Sequence, residues 1–232
     1  MTEPKPLDEF LDEKKDYSPF LVHLTKDCTD YIDEVGDICI PAKEILEQIL
    51  DEKTLRAVNY KYCYFGPSLE SQSSSLQNKF KVVCFTETPL DQIDVLLNKV
   101  IGRNFEPKPY GLVFEKKYIR EKGGNPVFYV TKEIARPLYD SLYIPLCAEG
   151  EEQISEKICK LLALVTICEE WNDWHWEREW RIAGNLEFDL NDIYCGLCPE
   201  EDIDHFENVY EPLIFISPYW GINKILDKLV GR

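Results

Sequence analysis

The chain has 232 residues, of which 26 are basic and 43 acidic, for a formal charge of −17 at neutral pH. Its length suits one large domain or two small ones, and a 44% hydrophobic, 12% aromatic composition marks a globular chain rather than an acidic disordered tail. The charge excludes a general nucleic-acid coat, which needs clustered Lys and Arg, and the longest apolar run, 161–168, falls far short of the ~20 residues that span a bilayer.

Residues 1–17 read as a flexible acidic leader, ahead of a single α+β domain over 18–232. The first residues lack the apolar core of a signal peptide, so a cytoplasmic location is expected. Phe20-Leu-Val-His-Leu-Thr predicts a strand ending at the Lys26-Asp27 turn. Pro41 suits a first helical turn, and Ile45, Leu46, Ile49 and Leu50 give the i, i+4 stripe of a helix reaching Lys53. Leu55–Val58 reads as a short strand, and the Ser-rich stretch 66–79 as an exposed loop. Strands follow over 81–86, 109–115 and 125–130, with Gly123-Gly124 turning between the last two. Helices are expected from Thr88 to about Val100, over 131–144 and over 151–173. Strands at 179–183, 192–195 and 213–217 close the chain, separated by helical segments near 200–208 and 221–230. No repeat and no linker interrupts this order, so the economical architecture is one mixed or split twisted β-sheet flanked by helices.

Nine cysteines without framework spacing read as reduced thiols. Cys195-Gly-Leu-Cys198 alone has ligand-like spacing. It lacks the second pair a zinc site needs and lies too near the C-terminus for a redox helix, so it reads as packing at a turn. Three histidines far apart in sequence predict no metal centre. No phosphate loop, dinucleotide glycine fingerprint or nucleophile elbow is present.

Three places carry candidate chemistry. Strand alternation puts Leu21, His23 and Thr25 on one face, so His23 reads either as a cleft residue or as a hydrogen-bonded structural histidine. Thr86, Glu87 and Thr88 stand at the end of a buried strand, where a hydroxyl and a carboxylate can line a pocket and Thr88 can cap a helix. Residues 171–181 hold four of the five tryptophans, with Glu177 and Glu179 two apart. On a strand that spacing puts both carboxylates on one side, where one can steady positive charge while the other accepts a proton. Arg178 and Arg181 would orient them or bind phosphate; the alternative is a stacked Trp/Arg surface with a charged ladder. Seven bases against three acids over 99–122 offer a basic rim to a phosphorylated ligand, whereas 200–211 holds six acids and no base.

The order Leu-Val-His-Leu-Thr, Ile-Leu-Glu-Gln-Ile-Leu-Asp-Glu-Lys-Thr-Leu-Arg-Ala and Val-Cys-Phe-Thr-Glu-Thr-Pro-Leu resembles the bacterial abortive-infection proteins of the AbiGi type. Tyr110-Gly-Leu-Val-Phe-Glu-Lys, Asn125-Pro-Val-Phe-Tyr-Val and Trp176-Glu-Arg-Glu-Trp-Arg continue the likeness over about 18–218. That resemblance implies phage defence and an antitoxin-like role, with a cognate toxin or other basic protein as partner. A second likeness, of a histidine-bearing first strand, a hydroxyl strand and a late glutamate strand, is to the ADP-ribosyltransferase layout. It implies an NAD or nucleotide pocket with His23, Glu177 and Glu179 as catalytic residues. Glu179 would stabilise an oxocarbenium-like transition state. His23, Thr25, Thr86, Tyr110, Tyr129 and Arg181 would then bind NAD. The hydroxyl strand departs from that layout, reading Cys84-Phe-Thr-Glu in place of a Ser-Thr-Ser string. The competing expectation is a non-catalytic sensing or antitoxin-like partner that works through its acidic surfaces; a metal-dependent hydrolase lacks histidine support.

Overall fold

The computed structural model describes residues 17–33, 36–98, 105–148, 155–170 and 173–230, the side chains of 29–33 and 36–38 excepted. Residues 1–16 of the expected leader lie outside this set, as do Trp171 and Asn172. The architecture is mixed α/β with a mixed multi-stranded sheet, as the α+β reading anticipates. In chain order the strands are β1 (Phe20–Leu24), β2 (Cys28–Asp33), β3 (Gly36–Ile40), β4 (Thr54–Leu55), β5 (Val82–Thr86), β6 (Gly111–Glu115) and β7 (Asn125–Pro126). They continue with β8 (Phe128–Val130), β9 (Val165–Ile167), β10 (Glu179–Ala183), β11 (Leu186–Glu187), β12 (Ile193–Leu197) and β13 (Phe215–Ile216).

Two compact units divide the chain, each gathered from separated segments: residues 1–52, 87–117 and 189–232 in one, 53–86 and 118–188 in the other. In the first unit β1 pairs antiparallel with β6, β6 with β12, and β12 runs parallel to β13. These strands read as near-continuous apolar runs because both faces are covered: Leu21 and Val22 are buried on successive positions, as are Leu112, Val113 and Phe114. Val22, Leu24, Val113, Cys195 and Ile216 pack with Ile93, Leu96 and Ile225. The helix Ala42–Glu52 starts where the Ala42 amide donates to Asp27 Oδ1 at 3.0 Å. Ala42, Leu46 and Leu50 are its buried positions, and each buried leucine contributes about 2 kcal/mol by leaving water. Gly111 lies so close to the His23 carbonyl that a Cβ there would overlap it, which explains a glycine at the first residue of β6.

In the second unit β10 is flanked antiparallel by β5 and β7, β4 pairs antiparallel with β11, and β8 runs parallel to β9. Its core joins Phe65, Leu69, Leu76, Phe80 and Val82 to Ala135, Tyr143, Leu146, Cys159 and Leu162.

Several predicted elements change form. The Ser-rich stretch is helical at Gly66–Leu69 and Ser74–Lys79, because Leu69, Leu76 and Phe80 supply a buried stripe and the Ser73 hydroxyl caps the second helix, accepting from the Leu76 amide at 3.2 Å. The helix expected from Thr88 shortens to a 3₁₀ turn, Leu90–Gln92, and Ile93–Leu96. Among the described residues of the expected long helix 151–173, Glu156–Leu162 are helical and the chain continues as β9. Its β-branched Val165-Thr-Ile pairs with β8 instead of extending the helix. Of the strand expected over Leu55–Val58 only Leu55 is in a strand, the two-residue β4, and Val58 is exposed. Part of the basic stretch forms the helix Lys116–Glu121. Cys195 and Cys198 are both fully buried, as the packing reading expects.

Candidate functional site

The Trp-rich segment leads into β10 through a 3₁₀ turn, His175–Glu177, closed by Arg178 in the left-handed conformation at φ 45° and ψ 48°. That region is costly for a residue with a Cβ and holds only where the surroundings impose it. Its first consequence is that strand alternation starts at Glu179 and does not reach Glu177, so the expected same-side Glu177/Glu179 pair is replaced by Glu179 and Arg181. Arg181 Nε donates to Glu179 Oε1 and Nη2 to Oε2, both at 2.9 Å. Nη1 donates to the Ala163 carbonyl at 2.9 Å and Nη2 also to the Tyr62 carbonyl at 3.1 Å. The guanidinium is 2% exposed and the carboxylate 16%. Burial opposes the arginine charge, but the Glu179 carboxylate outweighs it and raises the affinity of Arg181 for its proton. A buried cation requires such an anion, and Glu179 supplies it.

Thr86 stands opposite Glu179 across the β5–β10 pair and donates its hydroxyl to the Glu177 carbonyl at 2.7 Å. Tyr129 Oη accepts from the Glu179 amide at 3.2 Å, and its ring lies 4.7 Å from that of His175. Burial, and then the charge of Glu179, pushes the Tyr129 phenol above its ordinary range. The second unit thus brings together Thr86, Tyr129, Glu177, Glu179 and Arg181.

His23, Thr25 and Tyr110 belong to the first unit. His23 is half-buried on β1 opposite Leu112. The Thr25 hydroxyl, buried, lies 3.1 Å from the Ala42 carbonyl and 3.2 Å from that of Tyr110, tying β1 to the helix. Tyr110 Oη donates to Asp202 Oδ2 at 2.6 Å, and Lys43 Nζ donates to Oδ1 of the same carboxylate at 2.6 Å. Thr25 and Tyr110 are thus engaged in contacts within the first unit. A cavity of about 250 Å³ in this unit is lined by Leu97, Phe105, Lys108 and Tyr219, among others, and by none of the predicted site residues.

The expected basic rim is largely engaged. Lys116 is buried against Glu87 at 2.7 Å and over the Tyr17 ring, and Lys108 meets Asp27 at 3.2 Å. Arg120 lies over Trp180 and Lys122 over Tyr118. Residues 99–104 fall outside the described set. In the acidic stretch, Glu200, Asp202 and Glu207 pair with Lys224, Lys43 and Lys228. The acidic face offered to a basic partner is reduced accordingly. No helix among the described residues is long and apolar enough to cross a membrane.

In the Trp-rich segment marked by the sequence, Trp174 and Trp176, on the turn before β10, hold their rings 6.1 Å apart, and Trp176 is 40% exposed. One feature escaped the sequence reading. Cys168 at the end of β9 meets Asp173 and His175: its Sγ is 3.2 Å from Asp173 Oδ1 and 3.1 Å from His175 Nδ1, which are 2.9 Å from each other. Reading Cys168 as a small hydrophobe within a helix hid this cluster, although the spacing Cys-x4-Asp-x-His was its one signal. No family model matches the chain, and no curated protein or solved structure matches it.

Proposed function

We propose that the second unit binds a nucleotide, with NAD the first ligand to test, against the aromatic turn of residues 174–178. The observation that carries this reading is the Trp174/Trp176 pair, whose partly exposed rings stand on a turn closed by the strained Arg178. Stacking of a base or nicotinamide on such rings contributes about 1–3 kcal/mol. Arg178 supplies a cation suited to a phosphate, and Glu177, at the end of the turn, supplies a carboxylate for ribose hydroxyls. Glu179 takes no part in this reading as a catalyst: its charge is balanced by Arg181, which weakens any stabilisation of an oxocarbenium-like centre. Binding or sensing is therefore favoured over ADP-ribosyl transfer. The resemblance to abortive-infection proteins supplies the cellular setting of the proposal, phage defence.

Titration of tryptophan fluorescence with NAD, ADP-ribose and AMP tests it. Saturable quenching by at least one of them is expected, weakened about fivefold or more in Trp176→Ala, with no release of nicotinamide from NAD. Absence of quenching by all three at millimolar concentration, or quenching unchanged in Trp176→Ala, would sink the proposal. Nicotinamide release abolished by Glu177→Gln would replace binding by catalysis.

A further inference from the structure

We infer that Cys168, Asp173 and His175 form a binding site for a borderline-soft divalent metal ion, zinc before others. Their ligand atoms converge: Sγ, Oδ1 and Nδ1 lie 2.9–3.2 Å from one another. The alternative for a Cys, His and Asp in contact is a nucleophile relay, which needs the two imidazole nitrogens to face different partners, one the thiol and one the carboxylate. Here the single atom Nδ1 approaches both. Three ligand atoms gathered this closely around one imidazole nitrogen suit a cation and do not suit a relay.

The positions are held from outside the cluster. Cys168 is fixed by its amide, which donates to the Val130 carbonyl at 2.9 Å beside the β8–β9 pair. Asp173 Oδ1 also accepts from the His175 amide at 3.0 Å, and the imidazole rests against the Tyr129 ring. In a tetrahedral zinc site with Zn–S near 2.3 Å and Zn–N and Zn–O near 2.1 Å, ligand atoms stand about 3.4–3.6 Å apart, so each separation opens by only a few tenths of an ångström on binding. Thiolate and imidazole exclude magnesium and calcium, which take oxygen ligands. Binding converts the Cys168 thiol to thiolate and releases its proton to solvent. Asp173 and His175 are 63% and 62% exposed, so solvent reaches the fourth position, leaving three protein ligands and one open place. This inference does not rest on nucleotide binding, and its test reads the metal directly.

The chelator-treated 232-residue chain is titrated with Co²⁺ and then Zn²⁺. One equivalent of Co²⁺ is expected to give thiolate-to-cobalt charge-transfer absorption with the strong visible bands of a tetrahedral ion, displaced by Zn²⁺. Cys168→Ser should abolish the charge-transfer band. His175→Ala, at an exposed side chain that leaves the fold intact, should weaken binding about tenfold or more. Cys39→Ser and Cys198→Ala should leave the spectrum unchanged. No charge-transfer band in the wild type, a band undiminished in His175→Ala or in folded Cys168→Ser, or one lost in Cys198→Ala, would overturn the assignment.

Discussion

Arg181 and Glu179 stand two residues apart on β10 and close a two-bond fork, each N–H···O distance 2.9 Å, with the guanidinium out of contact with water. Removing the anion alone strands a buried charge, so Glu179→Ala is expected to cost about 3–5 kcal/mol and to lower the melting temperature by roughly 10 °C. Replacing both partners, as in E179L/R181M, removes the charge together with its need and should recover most of that loss. Thermal unfolding of E179L, R181M and the double variant reads the coupling. Additive losses would show that the fork is not a unit.

Gly111 meets backbone, not a side chain that can swing aside. Gly111→Ala pushes a methyl group into the His23 carbonyl across the β1–β6 pair, with an expected cost of about 2 kcal/mol or more. Gly123→Ala has open space but a φ of 90°, so its cost comes from the backbone alone and should be about 1 kcal/mol. Denaturant unfolding separates the two: only the former should speed hydrogen exchange of β1 amides.

Asp202 gives the first unit a signed dependence on pH. Burial disfavours its charge, but hydrogen bonds from Lys43 and Tyr110 prevail and hold the carboxyl below its ordinary 3.8. A depressed folded value means a contribution present in full above 3.8 and lost as pH falls through the lowered value. Lys43, raised above its ordinary 10.5 chiefly by the hydrogen bond to Asp202, contributes below 10.5 and loses its part as pH climbs through the raised value. The gap in melting temperature between wild type and Asp202→Asn should be flat from pH 5 to 9 and close in acid. A gap that widens on acidification would contradict the pairing.

The thiols should differ sharply in reactivity. Cys39 is exposed, whereas Cys63, Cys159, Cys195 and Cys198 are buried. Burial pushes Cys159 up to about 11, and burial together with the Asp202 charge pushes Cys198 up to about 12. Brief iodoacetamide treatment at pH 8, read by peptide mass spectrometry, should label Cys39 and spare these four until denaturant is added. Prompt labelling of Cys198 in the folded protein would contradict its packing.

Elements with strong local periodicity were legible in the chain: β1, the helix Ala42–Glu52, β5, β6 and β10 stand where alternation and the i, i+4 stripe put them. The serine stretch was not, because Leu69 and Leu76 are too few to announce a helix until Phe65 and Phe80 pack on them. The candidate site was half legible. Composition alone marked 171–181, with its tryptophans, glutamates and arginines, as the chemically dense segment.

Residue spacing by itself determined which side chains share a strand face, and so made Glu179 and Arg181 neighbours from the moment β10 forms. Only the tertiary structure decided where that strand begins, through the left-handed Arg178 that removes Glu177 from the face, and only it brought Cys168 against Asp173 and His175. The physical reason is one of range. Periodicity is a property of consecutive residues, but a turn's sign and the convergence of a loop are imposed by the contacts at its two ends, which no local pattern carries.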